Sequence, residues 1–121
     1  MRTIFDKTRL PHLITKNRIV RSATWEAIAN ADGTPSSEQI GIYRELAEGG
    51  VGTIVTGFTS VSENDRCLGK GMARLSDDEP VEEWKKLTGE CRRYGSKAIV
   101  QLALGEYVTH RCVLEADDCT V

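Results

Sequence analysis

The chain predicts an α/β fold with a parallel sheet. Compact apolar runs stand near residues 18–23, 51–56 and 96–104, two amphipathic stretches separate them, and a glycine follows each stretch. The order strand, helix, strand, helix, strand, with short links from helix to strand, describes a repeated right-handed β-α-β unit. At 121 residues the length suits one domain, and 40% hydrophobic with 28% charged residues excludes a disordered chain.

Asn17-Arg18-Ile19-Val20-Arg21-Ser22-Ala23-Thr24 has a β-branched centre, so the first strand is expected over Arg18–Ala23. Asp32-Gly33-Thr34-Pro35 forms a turn, after which Ser36 or Ser37 caps a helix by accepting a bond from a free backbone N–H. Ile40, Tyr43, Leu46 and Ala47 recur at helical spacing, which gives residues 37–48 one apolar face. Gly49-Gly50 ends that helix, because glycine tolerates the left-handed conformation that helix C-termini favour. Val51-Gly52-Thr53-Ile54-Val55-Thr56 shows no polar alternation, the pattern of a strand covered on both faces.

Residues 57–72 read as a long polar loop, the kind of segment that carries function on a rigid scaffold. Ser76-Asp77-Asp78-Glu79-Pro80 starts the second helix, with acids near the positive end of its dipole. Val81, Trp84, Leu87, Thr88 and Cys91 mark the inner face and Gly95 stops it. Ser96–Leu104 is the third strand. From Glu106 to Val121 no clear periodicity is visible, so residues 1–105 are read as one α/β region and 106–121 as an atypical C-terminal tail.

The net charge of -2 comes from scattered acids and bases, which leaves no electrostatic footprint for nucleic acid or an anionic membrane. The N-terminus turns polar within a few residues, and no later apolar run approaches the ~20 residues of a membrane helix, so a cytoplasmic location is expected. Cys67, Cys91, Cys112 and Cys119 form no C-x-x-C pair, and only His12 and His110 stand by to join them. Free thiols are the expectation, and no residue is assigned to a metal.

Gln101 interrupts the apolar run Ala98-Ile99-Val100-Gln101-Leu102. A carboxamide carries both donor and acceptor, and burying it unpaired costs on the order of a few kcal/mol, so a polar partner is expected at that strand end. Parallel strands point their C-terminal ends the same way, which gathers Ser22-Ala23-Thr24, Thr56-Gly57-Phe58 and Gln101 at one edge. Ligands on such scaffolds bind there, where small residues let a planar group approach the backbone. Gln101 suits the carbonyl and imide N–H of a pyrimidine-like edge, a pattern that the isoalloxazine ring of a flavin offers. The alternative is that the small residues accommodate a neighbouring helix while Gln101 bonds protein backbone.

The runs Lys16–Thr24, Asp32-Gly33, Leu46–Gly57 and Gly95–Leu102, together with Ile4-Phe5, resemble the Old Yellow Enzyme family of NADH:flavin oxidoreductases over roughly residues 4–105. The resemblance implies the N-terminal portion, about three β/α units, of a TIM (β/α)8 barrel that holds FMN at the C-terminal face. Reduction by NADH or NADPH and reoxidation by a small molecule with an unsaturated carbonyl are implied with it. Carried onto this sequence, the cofactor-binding residues are Ser22, Ala23, Thr24, Gly57 and Gln101. Trp25 falls where many relatives have threonine or cysteine, and Leu104-Gly105-Glu106 departs from their histidine, glycine and arginine.

A barrel of this type needs about 250 residues. The resemblance therefore implies an N-terminal fragment without complete catalytic machinery, and no catalytic residue is assigned. The family's phosphate grip belongs to its last strands, and no glycine-rich loop here replaces it. A second reading is a non-catalytic remnant that self-associates as a homo-oligomer, because three parallel strands leave a sheet face and edges unpaired.

Overall fold

The computed structural model describes residues 1–62, 70–76 and 81–104. β1 (Thr8–Leu10) and β2 (Leu13–Thr15) make an antiparallel hairpin, followed by β3 (Val20–Arg21) and α1 (Ser37–Glu48). Then come β4 (Thr53–Ser60), β5 (Ala73–Arg74), α2 (Val81–Arg93) and β6 (Lys97–Ala103). β4 is the central strand, and all its neighbours run parallel to it. β3 joins its start through Val20↔Thr53, β5 joins its end through Thr59↔Ala73, and β6 follows the whole of the other edge.

Local chemistry sets the helix limits. Ser36 is extended (φ -73, ψ 162) and its Oγ accepts the Gln39 N–H at 3.1 Å, relieving one donor of the first turn. Past the end of α1, Gly50 takes φ 100 and donates its N–H to the Ala47 carbonyl at 3.2 Å. Gly95 does the same after α2, with φ 74 and its N–H on the Arg92 carbonyl at 2.9 Å. Glu82 and Glu83 in the first turn of α2 and Arg92 and Arg93 in its last complement the dipole. The expected helix start at 77–80 lies outside the described residues.

Both helices cover the same face of the sheet. Tyr43 and Ala47 of α1, Trp84, Leu87 and Cys91 of α2, Ile54 of β4 and Ala73 of β5 form the core, with Ala98 and Val100 of β6 packed against it. The Trp84 indole N–H donates to the Arg74 carbonyl at 2.9 Å, so the largest core side chain buries no unpaired polar group. Alternation along the strands turns the other set of side chains away from the helices. On that bare face Val20 is 59%, Phe58 40% and Ile99 45% exposed.

Three expectations need correction. β3 is shorter than Arg18–Ala23, because after Arg21 the chain leaves the ladder and crosses β4 near Gly57. β4 starts later than residue 51 and runs on to Ser60, into what reads as loop. Gln101 is half-buried, not buried, since among the described residues β6 is covered on one face only, and there the cost assigned to an enclosed carboxamide does not arise. The β1–β2 hairpin and β5 are too short to leave a periodic signal.

The N-terminal ends of the strands are closed by side chains. Lys16 Nζ donates to the carbonyls of Ala47 at 3.1 Å and Tyr94 at 2.8 Å, capping the ends of both helices. Asn17 donates to the Gly50 carbonyl at 2.7 Å and accepts the Ile19 N–H at 3.0 Å, and Ser96 Oγ donates to the Val51 carbonyl at 2.6 Å. Gly52 has to be glycine, because a Cβ there would run into the Asn17 side chain.

Candidate functional site at the C-terminal ends of the strands

The ladder between β4 and β6 breaks where the expected site residues lie. Val55 pairs with Ile99 and Phe58 with Gln101, so Thr56 and Gly57 together oppose Val100 in a β-bulge. Thr56 repairs the break: its Oγ1 accepts the Gln101 N–H at 3.0 Å and donates to the Gly57 carbonyl at 2.9 Å. The bulge leaves Phe58 and Gln101 side by side on the face that the helices do not cover. The Gln101 carboxamide has no partner among the described residues.

Across β4 from Gln101 runs the segment that follows β3. Gly57 is buried, and a Cβ built on it would stand 2.6 Å from the Thr24 carbonyl oxygen and 3.0 Å from the Trp25 Cα. The missing side chain is what allows the two backbones to touch. Ser22, Ala23 and Thr24 are exposed, and Trp25 is 39% exposed. All five expected residues, Ser22, Ala23, Thr24, Gly57 and Gln101, thus lie at one end of the sheet, with Phe58 between them.

Beneath that surface lies a buried polar cluster that sequence reasoning missed. Arg21 Nη2 meets Glu26 Oε1 at 2.6 Å, with the two side chains 15% and 7% exposed. Tyr43 donates its hydroxyl to Glu26 Oε1 at 3.1 Å, and Gln39 Nε2 donates to Glu26 Oε2 at 3.3 Å. The Tyr43 oxygen accepts the Gly57 N–H at 3.3 Å and a bond from Arg21 Nη1 at 3.3 Å, and the guanidinium lies 5.5 Å from the ring centroid. Burial, with the neighbouring Glu26 charge adding to it, pushes the Tyr43 hydroxyl up to about 12. Tyr43 reads in sequence as one more apolar contact of α1. The one available signal is its hydroxyl, since a buried tyrosine needs a partner for that group, but nothing in the sequence points to Arg21 and Glu26, 22 and 17 residues away.

Among the described residues no cluster of histidine, cysteine, aspartate and glutamate has the make-up of a metal site, and no helix is long and apolar enough to cross a membrane. Cys91 is a free, buried thiol pushed up by that burial. Cys67, Cys112, Cys119 and His110 lie outside the described residues, as do positions 63–69 of the expected functional loop.

The chain resembles known proteins along most of its length. The sequence profile described as "NADH:flavin oxidoreductase / NADH oxidase family" matches residues 4–119. An NADH-dependent flavin oxidoreductase of Hypocrea jecorina is 35% identical over 95 residues, covering 74% of this chain and 23% of that protein. An NADPH dehydrogenase of Listeria monocytogenes is 34% identical over 104 residues, covering 85% of this chain and 30% of that protein. The crystal structure of Old Yellow Enzyme from Pichia sp. AKU4542 superposes with a TM-score of 0.74 at 25% identity, covering 82% of this chain and 25% of that one. The parallel sheet with its two helices corresponds to part of the TIM barrel of those enzymes, and the chain spans less than a third of the length of these relatives.

Proposed function

The chain belongs to the NADH:flavin oxidoreductase / NADH oxidase family, and on that premise we propose that it carries the flavin-facing strand ends of an FMN-dependent oxidoreductase of the ene-reductase type. The observation that supports this most is the free Gln101 carboxamide at the bulge, beside Phe58 and across β4 from the Gly57–Thr24 contact. The donor set fits the cofactor: an amide free to donate and accept, small residues at Ser22 and Ala23, and an apolar neighbour in Phe58. FMN, when bound, supplies hydride transfer from NADH or NADPH to a small acceptor with an unsaturated carbonyl.

The chain's own residues would do the holding. Gln101 would read the pyrimidine edge of the flavin, Ser22, Ala23 and Thr24 would line it with backbone and small side chains, and Gly57 lets that segment close on β4. Phe58 would exclude water from the ring. None of the described residues is given a proton-transfer role, so the catalytic set is incomplete within them. In this reading residues 1–105 are the flavin-binding region, 106–121 are an atypical C-terminal tail, and the protein works in the cytoplasm.

FMN titration of the Gln101→Leu variant tests the proposal. Affinity is expected to fall about tenfold, the scale of a 1.4 kcal/mol contact, with the unfolding midpoint unchanged. Equal affinity in the variant and the parent would remove Gln101 from the site and with it the reading.

A second reading is favoured by the bare face, where Val20, Phe58 and Ile99 stand 59%, 40% and 45% exposed. Here the chain is a non-catalytic domain that self-associates as a homo-oligomer through that face and the strand edges left unpaired among the described residues. Sedimentation at micromolar concentration separates the two: a colourless oligomer that takes up no FMN supports this reading, and a stable monomer refutes it.

A further inference from the structure

Building on the flavin reading, we infer that Glu26 is a positioning residue: with Arg21 it clamps the Ser22–Trp25 segment onto Gly57 and so fixes where Trp25 stands at the mouth of the site. The chain just past that segment takes a conformation that its own sequence does not favour. Ala27 takes φ 58, a conformation that costs a residue with a Cβ on the order of 1–2 kcal/mol and persists only where the surroundings impose it. The surroundings are specific. Glu26 is 7% exposed and accepts from Arg21, Tyr43 and Gln39 together, tying the segment to β3 and to α1. Arg21 in turn donates to the Val55 carbonyl of β4 at 3.2 Å and to the Thr24 carbonyl at 3.5 Å. One cation thus joins the strand to the segment that crosses it.

The outcome of the clamp is the placement of Trp25. Its Cα is held 3.0 Å from where a Gly57 Cβ would be, and a Glu26 carboxylate oxygen lies at the same 3.0 Å. The indole-bearing residue is 39% exposed at the end of the sheet that carries Phe58 and Gln101. A buried ion pair adds little net stability over a well-packed apolar pair of similar volume. If the pair served the fold alone, exchanging both members for leucine would lower the unfolding midpoint, since Tyr43 and Gln39 lose their acceptor, and would leave Trp25 in place. A clamp makes the opposite prediction for Trp25.

The test is the Arg21→Leu/Glu26→Leu double variant of the whole chain, read by thermal unfolding, by acrylamide quenching of tryptophan fluorescence and by FMN titration. Trp84 is 5% exposed and contributes little quenching, so the signal reports Trp25. The double variant is expected to unfold at a lower midpoint than the parent, because the buried Tyr43 hydroxyl and Gln39 amide lose their acceptor, while Trp25 becomes more open to acrylamide and FMN affinity falls about tenfold. A folded double variant with parental quenching overturns the inference. Quenching is measured without FMN, so a parent protein that binds no FMN defeats the flavin reading while quenching still decides the clamp. Should the double variant not fold, Arg21→Met, which keeps the apolar stem, removes the bonds to Val55, Thr24 and Glu26 and leaves Glu26 paired with Tyr43 and Gln39, is read in the same way, with the same result for and against.

Discussion

The two ends of the sheet are built on opposite terms. At the N-terminal ends of the strands, Lys16, Asn17 and Ser96 pair with the carbonyls of Ala47, Tyr94, Gly50 and Val51, closing helix ends and strand starts from within the chain. At the C-terminal ends the Arg21–Glu26–Tyr43 cluster is equally well paired, yet the layer above it is left open: exposed Ser22, Ala23 and Thr24, a 40% exposed Phe58 and a carboxamide at Gln101 without a partner among the described residues. The difference separates groups that hold the fold from groups left exposed or without a partner among the described residues. It matches the division of labour in barrels, where one end of the strands carries stability and the other carries chemistry.

Four substitutions break or sharpen that contrast. The largest effect is expected from Gly57→Ala, whose Cβ would stand 2.6 Å from the Thr24 carbonyl oxygen. Neither backbone yields easily, so a loss of about 3 kcal/mol or more in urea unfolding is expected, together with displacement of the Ser22–Trp25 segment. Lys16→Met comes next: it keeps the apolar stem and removes the bonds to Ala47 and Tyr94, with an expected loss of about 1–3 kcal/mol in the same assay. A loss close to zero would mean that the closed end is closed by packing alone.

The third test uses pH. The Tyr43 hydroxyl titrates at about 12 in the folded chain against an ordinary 10.0, so between those values the unfolded chain has lost a proton that the native one keeps. Stability is therefore fully present below pH 10 and lost as pH rises toward about 12. Urea midpoints measured across that range are expected to fall for the parent and to fall less steeply for Tyr43→Phe. The smallest effect on folding belongs to Gln101→Leu, within about 0.5 kcal/mol because the side chain is half-buried and free. A large loss of stability there would place Gln101 among the residues that hold the fold.

How much of this was legible from the sequence depended on the length of each signal. The sequence marks the limits of α1, because Ser36 or Ser37, the apolar spacing of Tyr43 and Ala47, and Gly49-Gly50 all agree, and the structure selects Ser36 as the cap. The core of α2 at Trp84, Leu87 and Cys91 was visible for the same reason. The sequence overextends β3, since the β-branched run gives no hint that the chain leaves the ladder after Arg21 and crosses Gly57. The gathering of Ser22, Gly57 and Gln101 at one end followed from strand direction alone. The Arg21–Glu26–Tyr43 cluster did not, because it joins residues that each look ordinary and whose meeting depends on how α1 lies over β4. Burial of Gln101 was overstated because an apolar run predicts a covered strand only when both faces have something to cover them.

Lys16 carries one more consequence. A single ammonium reaches carbonyls 31 and 78 residues away in sequence, at the tails of the two helices. Neither helix can fray from its last turn without loosening the same fastener on the other, so the two β/α units ought to open as one cooperative block. Hydrogen exchange would show this as amides in the last turns of α1 and α2 sharing a single opening free energy, and as that shared value splitting in two once the lysine is gone.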